Sequence, residues 1–329
     1  QLLATGLNPE SGDTGQLLVG MIQATSGMEF FRKVESECDQ LNAGQMSIYA
    51  VLALVTAIDE SMTLEQVLQV SGGTPEGALD AVNQLERARL VRTNRDGRMT
   101  LRHRVVAEAV QSLLRQRGLL AIAAGSALRV FCASGVRETT YSNPERRTMI
   151  RLLSHSYLLG LKLTDVEIRG IYQSVEDIMC DDFHFYLQWG SFEVEAGLMD
   201  NARHALMAAM TTGLGHQDPL VLTEFSLLRL RLANDDPAGG LQEEASRAIS
   251  DLHRVIRSRG AASPHAYVVL AREGVTWLSG NASAQFRDRT LVAESLELLE
   301  RAGNLDRRNP QVAEVRLPAI ETLHRTLLR

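Results

Sequence analysis

The side chains able to do chemistry gather in two stretches of this sequence. The first is Cys180-Asp181-Asp182-Phe183-His184, a thiol, two carboxylates and an imidazole in immediate succession. These are zinc-type donors, but a closed site needs about four ligands, and no second cluster supplies the remainder. Asp181 or Asp182 reads instead as the N-cap of the helix that follows, its carboxylate accepting backbone N–H groups that the helix leaves unpaired. No metal site is therefore expected. The second stretch holds Arg92, Arg95, Arg98, Arg102, Arg104, Arg115 and Arg117 against only Asp96 and Glu108. Guanidinium groups bind phosphate and carboxylate in a bidentate fork, so the stretch is either a phosphate- or partner-binding patch or a solvated face on an acidic protein. His103 sits in its middle, between Arg102 and Arg104, where it is either a residue packing at a helix start or a phosphate contact.

The motifs of common reactions are missing. There is no Gly-Lys-Ser/Thr at P-loop spacing, no HExxH, no GxSxG and no acidic EF-hand loop. The chain is accordingly expected to be no enzyme, with no catalytic residues.

Composition agrees with an ordinary soluble protein: 329 residues, 45% apolar and 22% charged, enough for about two domains with separate cores. The formal charge of -6 gives no general attraction to nucleic acid or anionic lipid. Cys38, Cys132 and Cys180 are scattered, without a CxxC pair, as expected for reduced thiols in a cytoplasmic protein. The longest apolar run, Leu119 to Ser134, is broken by Arg129 and too short for a bilayer, so no membrane association is expected. The chain opens on Gln1, which suggests a piece of a longer protein.

Which elements would position the arginines and His103? Met46 to Ile58 reads as an apolar helix, Thr63-x-x-Gln66 as a capping box opening a second, and Thr74-Pro75 as the start of a third, after the break at Gly72-Gly73. The third helix turns Ala78, Val82, Leu85 and Leu90 inward. Leu90 to Thr93 and Arg98 to Arg102 then flank Asn94-Arg-Asp-Gly97, a β-hairpin signal. Three helices and a two-stranded wing make a winged helix. Val106, Val110, Leu113 and Leu114 carry on as another helix, and Leu119 to Phe131 as one more. Upstream, residues 1 to 15 read as loop and Gly15 to Thr25 as a helical stripe, while Gly135 to Arg147 reads as loop with a helix starting at Asn143-Pro144.

Beyond the wing only helical periodicity remains. Tyr186-x-x-Trp189-Gly190-x-Phe192 followed by Ala202-x-x-x-Leu206-x-x-Ala209 has the small-and-large spacing of a tetratricopeptide (TPR) pair. Further pairs are Leu220 to Asn234 with Leu241 to Arg257, and Pro264 to Leu278 with Leu291 to Ala302; Asn309-Pro310 opens a last helix. The expected fold is mainly α: a winged-helix domain with a small β-hairpin wing, followed by a TPR-like α-solenoid.

Winged helices often read DNA through the N-terminal half of the third helix. Here that half carries Glu76 and Asp80, with Asn83 the one natural base reader and Arg87 and Arg89 too late to enter a groove first. Carboxylates facing phosphates repel them, so DNA recognition is disfavoured.

The order of parts, winged helix, then Leu101-Arg-His-Arg-Val-Val-Ala-Glu-Ala-Val110, then TPR-like helices, resembles the C-terminal half of the STAND-class P-loop NTPases. That class includes bacterial antiviral sensors (Avs) and the NLR immune receptors. Gly15 to Gly27 also resembles the helical lid that precedes the winged helix there. The likeness covers residues 15–118 in sequence and the rest as architecture. It implies a lid segment at 1–42 from an absent NTPase domain, a winged helix at 43–118, a connecting helix and loop at 119–142, and a TPR-like sensor at 143–329. In the family a histidine at the wing-to-helix junction contacts the β-phosphate of ADP, and His103 occupies the matching position. Arg104 stands where the eukaryotic motif has Asp, so the local hydrogen bonding must differ. The resemblance thus implies His103 as an ADP-phosphate contact in the intact parent only, with ATP or ADP and Mg as that parent's cofactors and none for this segment. It also implies three partners: the missing NTPase domain in cis, a protein ligand on the solenoid (a phage protein in the antiviral branch), and further copies of the parent on activation. Two other readings stay open: a STAND-type transcription activator whose solenoid binds a small inducer, and a stand-alone TPR adaptor.

Overall fold

The computed structural model describes residues 29–70, 73–134, 143–236, 240–259, 264–281, 284, 286–301 and 310–327. These are mainly α-helical with one small sheet, and they fall into two compact units that divide at Met179. The stripe and lid expected between Gly15 and Gly27 lie outside the described residues, as does most of the loop expected after Gly135.

In the first unit helix α1 (29–39) leads into α2 (Ala43–Ala57). Asn42 opens α2 through a capping box: its Oδ1 accepts the Gln45 N–H at 3.0 Å, and its own N–H donates to Gln45 Oε1 at 2.9 Å. That start lies ahead of the expected one at Met46. Every residue from Ile48 to Thr56 is buried, because α4 (Pro75–Arg87), α5 (Arg104–Gln116), α6 (Leu120–Ala133) and the sheet all pack against α2. A helix covered on all sides has no polar stripe, hence its uniformly apolar sequence.

Strand β1 (Met62–Thr63) follows α2, then α3 (Leu64–Val70), opened by the predicted Thr63/Gln66 box with bonds of 2.9 and 3.2 Å. Thr74 caps α4 as expected, accepting the Gly77 N–H at 3.2 Å with Pro75 in the first turn. The predicted hairpin is β2 (Val91–Thr93) against β3 (Arg98–Leu101), with Val91 opposite Leu101 and Thr93 opposite Met99. Asn94 Oδ1 accepts the N–H groups of Asp96 and Arg98 at 3.0 and 2.9 Å, and Gly97 takes φ +72°. A side chain at that φ would be strained, so the turn needs glycine. The sheet gains a third member, β1, paired antiparallel to β3 with Met62 opposite Met99. Two residues are too short to show alternation, which is why the sequence hides it. Helix, strand, helix, helix, hairpin is thus the order of elements from α2 to β3.

The remaining helices of this unit are α7 (Pro144–Leu153), α8 (His155–Gly160), α9 (Asp165–Gln173) and α10 (Glu176–Met179). α6 packs on α2, α7 and α9, and the Tyr172 hydroxyl donates to the Leu153 carbonyl at 2.9 Å. Residues up to Met179 therefore belong to the same compact body as the three-stranded sheet, whereas the sequence suggested a new domain from Asn143. The apolar face of α6 has to be covered, and these helices cover it.

The second unit begins with α11 (Phe183–Glu195) and α12 (Met199–Thr211), joined through Gly197 at φ +75°. The pair α13 (Pro219–Asp235) and α14 (Gln242–Arg259) packs next to it through contact of α12 with α13. The stretch expected as one helix from Pro264 is α15 (Pro264–Val269), a π-helical turn at Leu270–Gly274, and α16 (Val275–Gly280). α17 (Phe286–Arg301) packs on α14, and α18 (Pro310–Leu327) on α15 and α16. One core runs through the unit, from Leu187, Ala202 and Leu206 to Leu228, Ile249 and Trp277.

Candidate functional site

His103 stands where β3 ends and α5 begins. It is the N-cap residue of α5, in extended backbone (φ -155°), and its carbonyl accepts the Ala107 N–H at 3.1 Å. Its imidazole makes no capping bond, and it is half-buried. The side chain instead lines a cavity of ≈ 710 Å³ between the end of α2 and the hairpin, together with Arg92, Arg95, Arg104, Asp59 and Thr100. The cavity is of mixed charge. Arg104 donates to Asp59 at 2.8 Å and to Glu108 at 3.0 Å, and Glu60 pairs with Arg151 at 3.0 Å. Arg92 donates to Thr100 Oγ1 at 3.2 Å, while Arg95 sits exposed on the turn. An imidazole N–H and the guanidiniums of Arg92 and Arg95 form a donor set suited to an anion.

The arginine-rich stretch had two open readings, and its members separate between them. Arg98 donates to the Ser61 hydroxyl and carbonyl at 2.8 and 3.0 Å, tying β3 to the turn before β1. Arg115 donates to the Leu161 carbonyl at 2.9 Å. Arg102 bonds Glu37 at 2.6 Å, and Arg117 bonds Asp39 at 2.6 Å with Glu35 at 3.9 Å. Glu35, Glu37 and Asp39 all lie on α1, so these two arginines clamp α1 onto α5 and the end of the hairpin. The patch is therefore largely internal fastening.

In the first turn of α11, Asp182 is the N-cap, its Oδ1 accepting the N–H groups of His184 and Phe185 at 2.8 and 3.3 Å. Cys180 is exposed. Among the described residues no group of three or more His, Cys, Asp or Glu gathers as metal ligands. On α4 Glu76, Asp80 and Asn83 are exposed, and Asp80 accepts a bond from Gln84 at 2.6 Å.

Sequence reasoning missed a serine–histidine–glutamate juxtaposition between α14 and α17. His253 Nδ1 lies 2.9 Å from Ser295 Oγ, and its Nε2 lies 3.7 Å from Glu294. Residues so far apart in sequence, and of ordinary types, give no local signal. A nucleophile must be reachable, yet Ser295 is fully buried and its hydroxyl donates to the Leu291 carbonyl at 2.7 Å. The arrangement pins two helices together and leaves no hydroxyl to attack a substrate.

Among the described residues no helix is long and apolar enough to cross a membrane. No protein-family model and no curated protein sequence matches this chain. Among solved structures the chain is similar, at 15% identity and a TM-score of 0.32, to a Signal Transduction ATPase with Numerous Domains (STAND) protein with a tetratricopeptide repeat sensor from Pyrococcus horikoshii. The likeness covers 89% of this chain and 46% of that one, so this chain spans less than half the length of that protein.

Proposed function

We propose that this chain is the regulatory and ligand-sensing part of a STAND-class NTPase, itself without catalysis. The winged helix acts as an autoinhibitory lid on a nucleotide-binding domain, and the paired helices of the second unit bind a protein trigger, a phage protein if the parent belongs to the antiviral branch. The observation that carries this reading is the placement of His103: at the wing-to-helix junction, free of any capping bond, and on a cavity it shares with Arg92 and Arg95. An imidazole N–H there can donate to a phosphate oxygen of ADP, and the bond is lost when the lid swings away. Trigger binding favours the open state, exchange of ADP for ATP with Mg follows, and the parent oligomerises by population shift. The Arg102–Glu37 and Arg117–Asp39 pairs give the lid a rigid link to the segment before it.

The test is His103→Ala in the parent protein. The variant should hold ADP more weakly and show raised basal activity without trigger. Unchanged ADP retention and unchanged basal activity would refute the clamp. In this chain alone, ATP turnover should not exceed background, and measurable hydrolysis would overturn the non-catalytic reading.

A further inference from the structure

The second unit contains a cavity of ≈ 480 Å³ between α14, the end of α16 and the first turn of α17. Ser246, Arg247, Trp277, Asn281, Arg287 and Asp288 are in its wall. Asp288 is fully buried, at 0% exposure. Ser246 Oγ donates to its Oδ1 at 2.7 Å, while its Oδ2 is buried without a hydrogen-bond partner. A carboxylate withdrawn from water is strongly disfavoured unless both oxygens are met, and the dipole of one helical turn offsets only a small part of that. The arginines of the cavity do not meet it. Arg247 lies 3.7 Å from Glu243, Arg287 donates to Ser250 at 3.4 Å, and both are exposed.

An unmet acceptor inside and two exposed guanidiniums beside it are complementary to a molecule carrying a cation at one end and an anion at the other. We propose that this cavity binds a small zwitterion of the amino-acid type. Its ammonium would donate to Asp288 Oδ2 and its carboxylate would face Arg247 and Arg287, with Trp277 as the apolar wall. Seating the ammonium requires the Asp288 carboxylate to turn toward the cavity. The volume falls within the range of small-molecule sites. The site is separate from the lid role of His103 and stands or falls without it.

The test is thermal melting of the full chain with each common L-amino acid at constant ionic strength. Putrescine, which has two ammonium groups and no carboxylate, and inorganic phosphate serve as comparison probes. At least one amino acid should raise the melting temperature saturably while putrescine and phosphate do not. Asp288→Asn, which keeps the shape and the acceptor for Ser246, should raise the half-saturating concentration about tenfold, as loss of a charge-assisted bond does. Arg287→Ala, at an exposed position, should weaken the response in a protein that melts like the parent, so the idea stays testable if Asp288→Asn misfolds. No response to any amino acid, a response untouched by both substitutions, or an equal response to putrescine or phosphate would overturn it.

Discussion

At the residue scale, burial decides what each reactive group can do. Cys38 and Cys132 are buried and Cys180 is exposed. Burial pushes the Cys38 thiol up to about 11, so almost none of it is the reactive thiolate near neutrality. A thiol reagent at mildly alkaline pH should therefore label Cys180 quickly in the native protein and the other two only on unfolding. Fast labelling of a second thiol would show the core around Cys38 or Cys132 to be open. Gly190 is the other decisive residue, because a Cβ there would lie 2.5 Å from Leu206 Cγ and 3.3 Å from the Leu206 backbone nitrogen. Helix propensity alone would favour alanine by up to ~1 kcal/mol, but the overlap reverses the sign. Gly190→Val should destabilise the chain by about 1–3 kcal/mol in urea unfolding, as overpacking does; a gain in stability would contradict the close helix approach. The glycine and Ala202 were legible as a TPR-like spacing because such packing demands small residues at set intervals.

At the element scale, α1 is held by charge as well as by burial of Val34 and Cys38. Arg102 and Glu37 are 28% and 18% exposed, while Arg117 and Asp39 are more open at 31% and 58%. The first pair should thus matter more, and both should weaken with salt. Replacing Arg102 and Arg117 together by Met should cost about 1–2 kcal/mol at low salt and less at high salt. Urea unfolding at the two salt levels, with limited proteolysis near residue 40, measures this; identical stability in low salt would show the clamp to be ornamental. The elements themselves were readable where a cap or turn marks them, as at Thr63, Thr74, Asn94-Gly97 and Asn143. They were unreadable where partners come from afar. β1 is strand only because β3 lies beside it, and the π turn at Leu270–Gly274 is set by packing, with Glu273 meeting Arg231 and Asn234 at 3.5 and 3.2 Å.

At the scale of the whole molecule, each unit carries its own core, and that of the second contains Leu228, Ile249, Leu252 and Trp277. Residues 180–329 produced alone should fold, with a cooperative thermal transition and helical circular dichroism. A molten, non-cooperative product would mean that the second unit depends on the first. Within it, Leu228→Ala, at a fully buried position, should cost about 2–5 kcal/mol.

Local sequence determined the helices with strong periodicity, their caps, the hairpin turn and the lack of familiar catalytic motifs, because capping and turn chemistry act over three or four residues and leave a short-range trace. Tertiary structure alone decided which arginines are fastened and which line a cavity, that the helices from 119 to 179 complete the first unit, and that Asp288 is buried with one oxygen unmet. Those facts depend on side chains brought together across forty or more positions, as Arg102 with Glu37 and Ser246 with Asp288 show. Desolvation and pairing are properties of that assembled environment, so no stretch of sequence states them in advance.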